Sequence, residues 1–121
     1  IQLSVSAGIN VLADYKQRKV LVLGDMAELG DDAEAMHAEV GSKAKQAGID
    51  MLFATGNYSR FASEAFGNDA GHYANKDELI DELKNILTGD DVVLVKGSRS
   101  AAMEEVVERI LSHDNNQKRA T

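Results

Sequence analysis

Two short stretches of this 121-residue sequence hold side chains that could do chemistry together. The first is VLVLGDMAELG, Val20 to Gly30, followed by His37. An apolar run stops at Gly24, and a polar loop then presents Asp25 and Glu28. Carboxylates in such a loop can hold a substrate ammonium, a magnesium ion through water, or a basic side chain of another domain. The plainer alternative is that Asp25 merely caps or orders the loop, as aspartates in turns do. The second stretch, VVLVKGSRS from Val92 to Ser100, is opposite in sign. Lys96 ends an apolar run, Gly97 permits a tight turn, and Ser98 opens the next helix. Two cations, two hydroxyls and a helix N-terminus suit an anion, either carboxylate or phosphate.

His37 shares an apolar stripe with Met36 and Val40, which favours a core-edge histidine bonded to the rim over a ligand. Its place near a helix N-terminus favours the neutral imidazole. His72 and His113 have no metal-ligand spacing with it, so no metal site is expected.

The elements that must position these residues follow from apolar periodicity. A first helix ends near Asp14. Strands are expected at Val20–Gly24, Met51–Thr55, Gly71–Ala74 and Val92–Val95, the longer ones uniformly apolar and so buried on both faces. A helix is expected over Asp31–Gly48, with Asp31 and Glu34 spaced as a capping box and Ala33, Met36, His37, Val40, Ala44 and Ala47 inward. A short helix at Tyr58–Phe66 turns Phe61, Ala62, Ala65 and Phe66 inward. Asn75, with Glu78, caps a helix whose apolar stripe is Leu79, Ile80, Leu83, Ile86 and Leu87. Ser98 or Ser100 caps a last helix with Met103, Val106, Val107, Ile110 and Leu111 inward. From His113 the sequence is polar and reads as a disordered tail.

Helix and strand alternate throughout. That pattern predicts an α/β fold of the Rossmann-like, doubly wound kind, with a mostly parallel sheet and helices on both faces. Loops after parallel strands emerge at one edge of the sheet. The loops at Gly24–Gly30, Thr55–Ser59, Ala74–Lys76 and Lys96–Ser100 should therefore share one rim.

Composition bounds the rest. Hydrophobic residues are 44% and charged residues 27%, as in a folded globular domain. A net charge of −7 disfavours nucleic acid and anionic lipid as partners. With no cysteine, disulfides and thiolate metal sites are excluded. No signal-like start and no long uncharged apolar run is present, so the expected location is cytoplasmic and no membrane partner is expected. The apolar opening, with Ile1, Val5, Ile9 and Leu12 on one stripe, suggests a piece of a longer protein that starts inside a domain. No GxxxxGK(S/T) loop, no GxGxxG after a strand and no nucleophile elbow occurs. The residues offer half of an active site, with no catalytic group of their own.

GDMAELG, then HAEVG from His37, then VLVKGSRSAAMEEVV from Val93 together resemble the C-terminal domain of the Mur ligase family. The resemblance runs from Ser4 to Leu111, and SVSAGINVLADY resembles the helix after that family's DxYNANP motif, which is not in this sequence. Residues 1–112 are then the third, Rossmann-like domain, truncated at its N-terminus, and 113–121 a tail. The resemblance implies an ATP- and Mg2+-dependent amide ligase of peptidoglycan synthesis. The nearest branch has UDP-N-acetylmuramoyl-tripeptide and D-alanyl-D-alanine as substrates. It implies substrate or ATP-edge contacts at Asp25, Met26, Glu28, Leu29, His37, Lys96, Ser98 and Arg99, with ATP and magnesium held mainly by other domains. The alternative is a phosphoacceptor receiver domain, which has a similar length, an acid after strand one and a lysine after the last strand. Against it, no strand here ends in a lone aspartate.

Overall fold

The computed structural model describes residues 4–26 and 30–120, with side chains as far as His113; Glu28 and Leu29 lie outside the described residues. Helix α1 (Val5–Ala13) starts at Ser4, whose hydroxyl accepts the Ala7 N–H at 3.1 Å. Strand β1 (Arg18–Leu23) and α2 (Ala33–Gln46) follow, then β2 (Met51–Thr55) and α3 (Ser59–Phe66). The second half comprises β3 (Ala70–Tyr73), α4 (Lys76–Ile86), β4 (Asp91–Lys96) and α5 (Glu104–Ala120).

The four strands form one parallel sheet in the order β3-β2-β1-β4. On one face, α1 and α3 pack with Ala44 of α2 over Leu21, Leu23, Leu52 and Ala54. On the other, Leu79, Ile80 and Leu83 of α4 and Val106 of α5 cover Val20, Val22 and Phe53. Alternate residues of β1 and β2 thus feed two separate cores, which is why these strands are apolar throughout. The Rossmann-like expectation holds. The order differs from the 2-1-3-4-5 order of receiver-type sheets, because β3 pairs with β2 and not with β1.

Several local expectations need correction. The helix expected from Asp31 begins as a 3₁₀ turn over Gly30–Asp32, and α2 proper starts at Ala33. Asp32 makes no side-chain cap bond, so no capping box forms there. Neither Ser98 nor Ser100 caps the last helix. Ser98 precedes a 3₁₀ turn at Arg99–Ala101, Ala102 is left-handed at φ 51°, and α5 begins only at Glu104. Ala65 is exposed, as are Val107 at 39% and Leu111 at 57%. Val106 and Ile110, with Met103 just before the helix, form the inward face of α5, and Val107 and Leu111 lie beside it, where with Val93, Val95 and Ile110 they line a groove of about 600 Å³. The α5 backbone is helical to Ala120, across the polar residues read as a tail.

The inward face of α2 is made of Ala33, His37, Gly41 and Ala44. Three of these are small, and the reason is α3. A Cβ on Gly41 would overlap the backbone carbonyl of Ala62. The helices are therefore in main-chain contact, and no rotamer change can make room. Gly41→Ala gains about 1 kcal/mol of helix propensity. Pushing α2 off α3 costs about 1–3 kcal/mol or more. The variant is expected to melt at a lower temperature than the parent; a higher midpoint would show that the two helices separate freely.

At the foot of the sheet, Arg18 grips Asp91 with Nε to Oδ1 at 2.6 Å and Nη2 to Oδ2 at 2.8 Å. Arg18 Nη2 also donates to the Ile86 carbonyl at 2.9 Å, and Thr88 N–H donates to Asp91 at 2.8 Å. The Asp91 side chain is only 3% exposed. The Arg18 hydrogen bond holds its carboxyl below the usual carboxylate range. A carboxyl depressed in the folded state stabilises the fold above its unfolded pKa, and that stability is lost as pH falls through the folded value. Acidification from about pH 4 downward should weaken the parent more than Asp91→Asn. Parallel pH–stability curves for the two proteins would contradict this.

Candidate functional site

The sheet order reverses between β1 and β4. Chain segments after β1 run to one side and β4 lies on the other, so the crevice at their carboxyl ends is the topological switch point, where open α/β sheets place ligands. The two loops singled out in the sequence are the two that leave this point. They are joined to each other: Gly24 N–H donates to the Lys96 carbonyl and Ser98 N–H to the Asp25 carbonyl, both at 2.9 Å. The β1–β4 ladder thus continues past the strands into the loops. Two glycines permit the approach. A Cβ on Gly24 would lie 2.6 Å from the Met103 sulfur, and one on Gly97 would lie 2.6 Å from Met103 Cγ. Met103, buried after the left-handed Ala102, lies across both.

Asp25 does not face an open cleft. Its Oδ2 accepts the Asn57 N–H at 2.8 Å, and its Oδ1 accepts those of Tyr58 and Ser59 at 2.9 Å each. These donors head α3, whose own N-cap residue, Tyr58, makes no side-chain cap bond. The carboxylate caps α3 from another loop, at the end where the helix dipole favours negative charge. Gly56, at φ 125°, lies beneath it, and a side chain there would strike the carboxylate. The same loop is tied down behind. Ser59 Oγ donates to the Thr55 carbonyl at 2.6 Å, and Thr55 Oγ1 to the Tyr73 carbonyl at 2.9 Å. His72 Nε2 lies 2.8 Å from the Gly56 carbonyl, which can only accept.

His37 is fully buried. Its Nε2 lies 3.0 Å from Met26 N–H, and its Nδ1 lies 2.6 Å from the Ala33 carbonyl. An amide N–H can only donate and a carbonyl can only accept, so the ring is the neutral tautomer with its proton on Nδ1. This agrees with the neutral imidazole expected near a helix N-terminus. Both ring nitrogens are occupied by protein, and the ring lies 5.9 Å from that of Tyr58. Met26, held through its N–H, packs its side chain against the core.

On the basic side, Lys96 and Ser98 are half-buried, while Arg99 and Ser100 are exposed. The two serine hydroxyls are 3.0 Å apart. The structure therefore brings Asp25, Met26, His37, Lys96, Ser98 and Arg99 to one rim. It divides them into residues that hold loops together, Asp25 and His37, and residues that present polar groups outward, Arg99 with Ser98 and Ser100. Sequence reasoning expects the Thr55–Ser59 loop at the rim and Met103 inward; it misses the close approach at Gly41, the crossing of Met103 over Gly24 and Gly97, and the bonds from Asn57–Ser59 to Asp25. Among the described residues no group of three or more acids or histidines converges on a common point.

The family model described as "Mur ligase, glutamate ligase domain" matches residues 2–99. The chain is 50% identical over 106 residues to the UDP-N-acetylmuramoyl-tripeptide–D-alanyl-D-alanine ligase of Escherichia coli, covering 86% of this chain and 23% of that protein. The chain thus spans about a quarter of the length of the curated relatives it matches. Among solved structures, the UDP-N-acetylmuramoylalanyl-D-glutamyl-2,6-diaminopimelate–D-alanyl-D-alanyl ligase of Acinetobacter baumannii superposes with a TM-score of 0.76 at 26% identity, over 89% of this chain and 24% of that one. The MurF ligase of Thermotoga maritima, solved in complex with ADP, has the same fold at 22% identity, with a TM-score of 0.78 over 95% of this chain and 26% of that one.

The Asp25 knot has a direct test. In Asp25→Asn, the amide oxygen can keep the Tyr58 and Ser59 bonds, but its NH₂ group then faces the Asn57 N–H, donor against donor. Loss of one charge-assisted bond and an unsatisfied pair should lower stability by about 1–3 kcal/mol. Denaturant unfolding of the Asn variant at the parent's midpoint would remove Asp25 from this role.

Proposed function

The chain belongs to the Mur ligase family, and we propose that it is the C-terminal, substrate-positioning domain of an ATP-dependent ligase. That ligase joins D-alanyl-D-alanine to UDP-N-acetylmuramoyl-tripeptide in peptidoglycan synthesis, in the cytoplasm. Residues 1–112 are the domain and 113–121 its tail. The observation that carries this reading is the meeting of Gly24 and Asp25 with the KGSRS loop, joined by backbone bonds at the switch point of the sheet.

The chemistry of the substrates suits the rim. A dipeptide brings a carboxylate and an ammonium. Arg99 offers a planar fork that matches a carboxylate, and Ser98 and Ser100 offer hydroxyl donors beside it. Lys96 adds positive charge beneath. The first loop, whose sequence carries Met26, Glu28 and Leu29, is assigned to the amine or to the ATP edge. Asp25 and His37 contribute by fixing that loop rather than by touching ligand. Once both ends of the dipeptide are held, its amine meets the activated carboxyl as a positioned neighbour, which is where much of the rate gain of such a reaction lies.

ATP and Mg2+ belong to the parts of the ligase outside this chain. The sequence has no phosphate-cradling loop and the described residues no magnesium cluster, so no phosphoryl step is assigned to these residues. The 121-residue polypeptide alone is expected to form no product and to hydrolyse no ATP.

Charge reversal tests the basic loop. In the full-length ligase, Arg99→Glu should raise the KM for D-alanyl-D-alanine by about tenfold or more, the scale of losing hydrogen bonds between charged groups. The KM for UDP-N-acetylmuramoyl-tripeptide should move far less. An unchanged dipeptide KM would take the basic loop out of the site.

A further inference from the structure

Lys76 is out of place by local rules. It is the first residue of α4, followed by Asp77 and Glu78. Acids suit a helix N-terminus and a cation there opposes the helix dipole. A residue that breaks a local preference is held by something tertiary or serves a site. Here the tertiary partners are specific. The Lys76 ammonium donates to the Ala101 carbonyl at 3.2 Å and to the Ala102 carbonyl at 3.4 Å, and it lies 3.3 Å from Glu105 Oε1.

Those two carbonyls close the 3₁₀ turn Arg99–Ala101, the turn that presents Arg99 and Ser100. The turn is held internally by Ala101 N–H to Ser98 and Ala102 N–H to Arg99, each at 3.1 Å. Its carbonyl end then points at α4, where the ammonium meets it as a cap. Immediately afterwards Ala102 adopts the left-handed conformation and Met103 turns down over Gly24 and Gly97. The lysine thus braces the point at which the basic loop bends back into the core. A second set of contacts fixes the lysine's own element. Arg109 bonds Asp77 at 2.6 Å and Glu105 at 3.0 Å, stitching the start of α4 to the start of α5. The Arg109 and then the Lys76 contacts hold the Glu105 carboxyl below the usual carboxylate range.

We propose that Lys76 is a positioning residue for the amine substrate: it sets the aim of Arg99 by capping the carbonyl end of the turn that carries it. The proposal rests on the reading of the basic loop as the dipeptide carboxylate site. Lys76 does not touch the dipeptide. Its charge is committed to two carbonyls and Glu105, and its effect reaches ligand through the backbone.

The test uses steady-state kinetics of the full-length ligase with D-alanyl-D-alanine as the varied substrate. Lys76→Met keeps the stem and removes the donors. It should raise the dipeptide KM by roughly tenfold with little change in kcat, since small misplacements of a binding group are costly. Lys76→Arg, which restores donors to the carbonyls, should recover part of the loss. Glu105→Gln breaks the ion pairs but leaves the ammonium on the turn, and its KM should stay near the parent's. Equal KM increases in Lys76→Met and Glu105→Gln would overturn the proposal, because stitching of α4 to α5 would then be the whole effect. An unchanged KM in Lys76→Met beside a raised KM in Arg99→Glu would also overturn it while leaving the loop assignment standing. If Arg99→Glu itself leaves KM unchanged, the reading of the loop fails first.

Discussion

The rim depends on one carboxylate accepting three main-chain N–H bonds across a gap between loops. Asp25 leaves β1, yet its oxygens satisfy the head of α3, a helix that starts more than thirty residues later. Its carbonyl at the same time receives Ser98 from the loop after β4. One residue therefore fixes three loops, two through its side chain and backbone and one by belonging to it. Each bond alone is worth about a kilocalorie per mole, somewhat more with a charged acceptor. Acting together they remove the independent motion of loops that would otherwise each sample their own conformations.

Much of the packing geometry serves this knot. Gly56 has no side chain because the carboxylate occupies that space, and Gly24 and Gly97 have none because the two loops and Met103 converge there. His37 acts from the opposite side. By accepting Met26 N–H it holds the residue next to Asp25 against α2, and α2 can lie close to α3 because Gly41 faces Ala62. The loop after β1 is thus clasped between two helices that touch each other. Binding groups are best carried on elements that are themselves fixed, and Asp25 and Met26 at the start of this loop are both held by hydrogen bonds to other elements.

The fold was legible because its signals are local. Uniformly apolar strands, glycine stops and the Asn75 cap each depend on a few neighbouring residues, and each appears where the sequence places it. The basic and acidic loops were legible for the same reason, through residue type and position after a strand. What could not be read were roles that depend on residues distant in sequence. For Asp25 the sequence leaves ligand-holding and capping or loop-ordering roles both open, because its three partners, Asn57 to Ser59, reach it only through the parallel pairing of β1 and β2. Asp31 and Glu34 have the spacing of a capping box, but the chain enters α2 through a 3₁₀ turn, and a pattern of side chains cannot reveal the backbone that precedes it. Ser98 failed as a cap for a related reason: Met103 must cross the two glycines before α5 can begin, and that delay is set by packing.

The places where local rules fail are informative in themselves. Lys76 opposes a helix dipole, Ala102 takes a left-handed conformation that costs a non-glycine residue energy, and Asp25 caps a helix to which it does not belong. All three lie at the rim, around the loops after β1 and β4. The foot of the sheet contrasts with this. There Arg18 and Asp91 pair in a simple bidentate bridge, and Asp50 caps the Lys19 N–H at 2.8 Å, contacts that only hold strand ends together. At the rim these departures gather around the two loops, while at the foot the left-handed Asp69, at φ 69°, forms the turn into β3. The bonds from Gly24 to Lys96, from Ser98 to Asp25 and from Lys76 to the Arg99–Ala101 turn hold the two loops in one arrangement at the rim.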